Sequence, residues 1–184
     1  QAASVHDDVV KYLKSTSGRG IVIDGSGPCE LTSFTDSDLG GDPATEKSTS
    51  GNYIQLGNST IFFMSRLQRK LADSVGKAET HAAHELCRQL IWVMGVLIEM
   101  GVPVKVPAIV YVDNGGIISQ SKHALDHKSS KHYRLPQAMI RELKEANYVE
   151  FRKVDTKFNG ADALTKPLGP QLFWRHMAKI MGEQ

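Results

Sequence analysis

Cysteine is scarce in this chain. The two, Cys29 and Cys87, stand far apart with no metal-type spacing, which excludes a disulfide framework and a zinc-ribbon architecture. The reading is of two reduced, buried thiols. No apolar run approaches the roughly 20 residues needed to cross a bilayer, so no membrane partner is expected. Internal repeats, low-complexity tracts and long linkers are missing too. The opening residues QAASVHDDVV have neither an initiator Met nor the basic-then-apolar profile of a signal peptide, and they read as a piece of a longer chain.

What is there fits an ordinary globular domain. A length of 184 residues, 41% of them hydrophobic and 23% charged, is enough for one real core. The net charge of +2 hides an asymmetry. Residues 1–121 hold 10 Lys/Arg against 13 Asp/Glu, and residues 122–184 hold 12 against 7. An acidic front and a basic back suit a protein that holds cations on one surface and grips a polyanion on another. A solvated basic helix gives the same count.

SVHDDVVKYLKSTSGRG reads as an amphipathic helix with Val9, Val10 and Leu13 as its apolar side. IVIDGSG and CELTSFTD read as strands. SGNYIQLGNSTIFFMS reads as a hairpin turning at Gly57-Asn58. A long helical pattern runs from about Lys77 to Met100, closed by Gly101 and Pro103, and VPAIVYV is a strand covered on both faces. NGGIISQSKHAL and YRLPQAMIRELKEA are helical, with Pro136 expected to start or kink the second. YVEFRKV is a last strand, and GADALTKPLGP and QLFWRHMAKIM close the chain as helices. The order βββαβαβα implies an α/β fold: a five-stranded mixed sheet, an antiparallel meander followed by parallel crossovers, flanked by helices.

Carboxylates mark three places in this scheme. The strand Leu31–Thr35 runs into Asp36, Ser37 and Asp38, and AIVYV runs into Asp113. Turn chemistry alone explains such residues, yet strand ends in open α/β sheets are also where ligands bind. On a wheel of the long helix, Ala82, Leu86, Leu90, Val93, Met94 and Leu97 fall within about 60° of Glu79. Glu79 is thus the one acid on the apolar stripe, while His81, His84, Glu85 and Arg88 fall opposite and read as solvated surface. A fourth acid, Asp162, would sit third in a helix capped by Asn159, where it could simply satisfy backbone amides. Acids gathered without Cys or His of ligand spacing suit hard cations such as Mg²⁺ or Mn²⁺ rather than Zn²⁺.

Several segments, in matched order, resemble the ribonuclease H domain of copia-type LTR retrotransposon polymerases. TDSDLGGDPATEKSTSG is similar to that family's TDSDWAGDPxTRKSTSG, and AETHAAHELCRQLIW to its AEYxALxEAxxExxW. VDN matches CDN, HKSSKHY matches HxRTKHI, and ADALTKPL matches ADxLTKPL. VVKYLKSTSGRGI resembles the segment joining reverse transcriptase to this domain. There are departures: SVGKAETH replaces LSSTEAEY, and Leu39 stands where the family has Trp. The run before the last acid offers Asp155 and Lys157 in place of the mobile His of many cellular RNases H.

The resemblance implies an RNase H-like fold over residues 21–184, preceded by a connection segment at 1–20. It implies a D-E-D-D site at Asp36, Glu79, Asp113 and Asp162 holding two Mg²⁺ or Mn²⁺ ions about 4 Å apart. The implied activity is endonucleolytic hydrolysis of the RNA strand of RNA/DNA hybrids. The upstream reverse transcriptase of the same polyprotein would be a partner, and the location would be cytoplasmic, within virus-like particles of the element. Asn114 and the basic cluster His127, Lys128, Lys131, His132 and Arg134 would bind substrate, mainly through phosphates. Two rival readings are a silent or domesticated nucleic-acid- or protein-binding domain, and another nuclease of the same fold such as an integrase or junction resolvase.

Overall fold

The structure is a computed structural model that describes residues 2–25, 27–121 and 131–183. His127 and Lys128 lie outside the described residues.

Five strands form one sheet: β1 (Leu31–Asp38), β2 (Thr49–Leu56), β3 (Ser59–Leu67), β4 (Ala108–Val112) and β5 (Val149–Lys153). Their order is β3-β2-β1-β4-β5. β1 to β3 are the expected antiparallel meander, and β4 and β5 add in parallel on the other side. Gly57, at φ 60, makes the tight turn between β2 and β3. The helices are α1 (Ala2–Ser15), α2 (Val75–Glu99), α3 (Gly115–Gln120), α4 (Lys131–Glu145) and α5 (Pro170–Met181).

Alternation along the strands separates two faces. On one, Leu31, Ile54, Val110, Val149 and Phe151 pack against the stripe Leu86, Leu90, Val93, Met94 and Leu97 of α2. On the other, Phe34 stacks between Tyr53 and Tyr111, with centroids 4.6 and 4.9 Å away, and Ile180 and Met177 of α5 close over this layer. α4 packs on α2 rather than on the sheet's second face.

Several expectations need correction. IVIDG is not a strand and joins no ladder of the sheet. Instead Val22 N–H donates to Met181 O at the end of α5, and Asp24 N–H donates to Ser59 Oγ. Cys29 is exposed, and only Cys87 is buried. Val9 and Leu13 of α1 are also exposed, at 51% and 59%; α1 touches the domain through Tyr12, which stacks on Trp174 at 6.4 Å. Pro136 lies inside α4, where it removes only one rung of the ladder. The expected helix over GADALTKPLGP shrinks to a 3-10 turn, Gly160–Leu164.

Candidate metal centre

The parallel pairing of β1 with β4 aligns Thr32 with Ile109 and Phe34 with Tyr111. Two residues further along each strand stand Asp36 and Asp113, so the same register carries both acids to the sheet's carboxyl edge. Glu79 arrives from the first turns of α2, which lies across β1 and β2. Oxygens of Asp36, Glu79 and Asp113 all lie within 4.8 Å of one another. Three chain segments thus converge on one point that could bind a metal ion.

Each acid is held by a neighbour. Ser37 Oγ donates to Glu79 Oε1 at 3.0 Å, because consecutive residues of β1 point to opposite faces and Ser37 takes the α2 side. Thr165 Oγ1 donates to Asp36 Oδ2 at 2.5 Å. Thr156 Oγ1 donates to Asp113 Oδ2 at 3.1 Å. Glu79 is 3% exposed, and its Oε2 has no hydrogen-bond partner among the described residues. A buried acceptor without a donor costs stability. A carboxylate-bound cation would satisfy it, so the donor set fits a hard divalent metal.

Crowding and burial disfavour the charged forms. Burial, then the charges of Asp36 and Asp113, push the Glu79 carboxyl up to about 8. Burial pushes Asp36 up to about 6 against the hydrogen bond from Thr165, with Asp162 adding to the rise. Asp113 is raised as well, by burial and then by Asp36.

Asp162 does not join the three-acid cluster. Asn159 fixes its turn: the Asn159 amide donates to Thr35 O at 3.0 Å and its Oδ1 accepts from Ala161 N–H at 3.3 Å. Asp162 Oδ1 lies 3.0 Å from Lys166 Nζ, which is also 3.9 Å from Asp36 Oδ2. Asn114 caps α3 by accepting from Gly116 N–H at 2.8 Å. Lys131 and His132 are exposed at the described start of α4, with Arg134 half-buried.

A second feature went unread in the sequence. Arg66, Arg69, Lys70, His81, His84, Glu85, Arg88 and His132 line a cleft of about 400 Å³ between β3 and the outer face of α2. The histidines of HAAHE are half-buried in its wall rather than free surface. Glu85 is engaged by Arg66 at 3.1 Å, so the cleft is strongly basic. The run SRLQRK leaving β3 carried the signal, but its partners on α2 are supplied only by the fold.

No protein-family model matches the chain. It is 34% identical over 158 residues, 86% of its length, to the retrovirus-related Pol polyprotein from transposon TNT 1-94 of Nicotiana tabacum. It is 29% identical over 172 residues, 94% of its length, to that from transposon RE2 of Arabidopsis thaliana. The match spans 12% of each of these relatives. In structure the chain is similar to LC11-RNase H1, isolated from compost by a metagenomic approach: TM-score 0.53 and 21% identity, covering 74% of this chain and 93% of that one. The structure of LC11-RNase H1 in complex with an RNA/DNA hybrid gives a TM-score of 0.54 at 18% identity, covering 74% and 94%. With relatives that are Pol polyproteins of plant transposons and a five-stranded RNase H-like fold, this chain fits the RNase H domain of a copia-type polyprotein.

Proposed function

We propose that this domain hydrolyses the RNA strand of RNA/DNA hybrids, endonucleolytically, during reverse transcription of the element. The observation that carries the reading is the convergence of Asp36, Glu79 and Asp113 within 4.8 Å, with a buried Glu79 oxygen left without a donor. Asp36, Glu79 and Asp113 would hold Mg²⁺ or Mn²⁺, with Asp162 at the edge of the site for a second ion. Bound there, such ions lower the pKa of an attacking water and stabilise the charge on the leaving 3′-oxygen.

The chain's own residues supply orientation. Ser37, Thr165 and Thr156 each fix one oxygen of one acid, which leaves the remaining lone pairs directed into the common space. Their hydroxyls stabilise the ionised carboxylates against burial. The basic cleft, which His132 lines at the start of the helix that also carries Lys131 and Arg134, suits the sugar-phosphate backbone of a duplex, and such contacts position a substrate without reading its bases. Asn114, His127 and Lys128 belong to the same substrate-binding reading. Residues 1–20 are read as the connection from an upstream reverse transcriptase and residues 21–184 as the nuclease domain. The setting is the cytoplasm, within the element's virus-like particles.

The test is cleavage of an end-labelled RNA/DNA hybrid with Mg²⁺ or Mn²⁺, comparing the wild type with Asp36→Asn. Metal-dependent loss of the RNA strand in the wild type alone supports the nuclease. If both proteins retard the hybrid on a gel and leave the RNA intact, even with the upstream polymerase restored, the cleft serves a binding module without cleavage.

A further inference from the structure

Lys166 is the one cation within 4 Å of two of the four acids among the described residues. Both of those acids are buried, with side chains 2% exposed, whereas the lysine side chain is 34% exposed and reaches them from the rim. Its position is not left to a flexible stem alone. The backbone N–H of Thr165 and of Lys166 both point to Asp162 O, at 3.2 and 3.3 Å. The Thr165 hydroxyl contacts both Asp36 Oδ2 and Asp162 O. Two consecutive residues therefore clamp Asp36 and Asp162 together.

Without a positive charge between them, two buried carboxylates side by side would repel. Lys166 supplies that charge from 3.0 Å away from Asp162 Oδ1, a buried oxygen with no hydrogen-bond donor among the described residues and so open to a second ion. Within the three-acid cluster Lys166 comes within ion-pair distance of Asp36 alone: neither Glu79 nor Asp113 is in an ion pair with any described residue, although the lysine's charge also reaches Asp113.

We propose that Lys166 is a built-in counter-ion that competes with a divalent cation for the Asp162 side of the centre. This makes the two ion positions unequal: the Asp36–Glu79–Asp113 position fills first, and the Asp162 position fills only as the ammonium withdraws toward solvent. The inference rests on the metal-centre reading of the acids, but its readouts need no nucleic acid and no turnover.

Mn²⁺ titration by calorimetry on the free domain tests it, with the wild type, Lys166→Met and Lys166→Arg compared. The expected result is one stronger and one weaker event in the wild type. Lys166→Met should tighten the weaker event by roughly five- to tenfold, the scale of one unit charge at this range in a partly solvated site. Lys166→Arg should keep the wild-type pattern. In metal-free buffer Lys166→Met should also melt below the wild type, with Mn²⁺ restoring the difference. A weaker event that stays unchanged or loosens in Lys166→Met, or a shift of the same size in Lys166→Arg, overturns the competition. A metal-free melting temperature that does not fall overturns the counter-ion role. A wild type that takes up no Mn²⁺ overturns the competition and the metal-centre reading together, and the melting comparison still reports on the counter-ion.

Discussion

Ser37 and Glu79 meet across 42 positions of sequence: the serine hydroxyl donates to Oε1 at 3.0 Å and leaves Oε2 free of donors. The bond ties the rim of the sheet to the first turns of α2. Ser37→Ala should therefore remove the hydroxyl bond that fixes Oε1, keeping only the backbone N–H of position 37, and let the side chain turn. Metal affinity should fall about ten- to a hundredfold, the usual cost of removing a partner that orients a ligand, with circular dichroism unchanged. Mn²⁺ titration checks it, and an unaltered affinity would show that burial alone orients Glu79.

Metal-free stability should decline as pH rises. Glu79 and Asp36 bind their protons more tightly in the folded chain, at about 8 and about 6, than at their ordinary values of 4.5 and 3.8. Between the unfolded and folded values the native state carries the extra proton, so stability is highest below about 3.8, drains through Asp36 up to about 6 and through Glu79 up to about 8. From pH 5 to 8 the loss should be on the order of 5 kcal/mol, most of it from Glu79. Denaturant midpoints in chelator, read for the wild type and Glu79→Gln, check this. The variant should show a much flatter slope, and an equally steep one would assign the effect elsewhere.

Gly51 on β2 leaves no room for a side chain: an added Cβ would lie 2.6 Å from Thr165 Cγ2 and 2.7 Å from Ala161 O. Gly51→Ala should push the Gly160–Leu164 turn off the sheet at a cost of about 1–3 kcal/mol. It should also lift Thr165 from Asp36, so hybrid cleavage falls although no acid has changed. Thermal melting and cleavage assays on the same preparation separate the two effects. Full activity at a lowered melting temperature would show that the turn yields without moving Thr165.

Removing residues 1–20 should change the melting temperature little. α1 leaves Val9 and Leu13 exposed and is tied down by Tyr12 on Trp174, with Arg19 over the same ring at 4.3 Å and 3.2 Å from Glu183. Such exposed contacts contribute little each. A shift of a few degrees is expected, and loss of the cooperative transition would place residues 1–20 inside the folding unit.

Glu79 was legible in the sequence because a helix wheel is local arithmetic: an acid on an apolar stripe has nowhere to go but inward. Asp36 and Asp113 were legible as strand ends, since AIVYV and LTSFT announce buried strands and the parallel register does the rest. Asp162 was harder. Asn159 does cap its turn, as the local pattern suggests, but the amide also reaches Thr35 on β1, and the partner that matters, Lys166, acts through a contact to Asp36 far away in sequence. IVIDG misled for the converse reason. Its residues favour a strand, but its backbone amides are taken by the end of α5 at Met181 and by the Ser59 hydroxyl at the start of β3, contacts the local pattern does not announce. The basic cleft was invisible as a unit because half its wall belongs to β3 and half to α2.

The turn that carries Thr165 and Lys166 is the last contributor to the centre in chain order. On a ribosome, a growing chain that has already laid down β1, α2 and β4 would hold Asp36 with neither its hydroxyl partner Thr165 nor its counter-ion Lys166. Completion of the centre is thus tied to synthesis of residues 159–166. A chain stopped before them has crowded carboxylates at the rim of its sheet, and after them only α5 remains to close the other face.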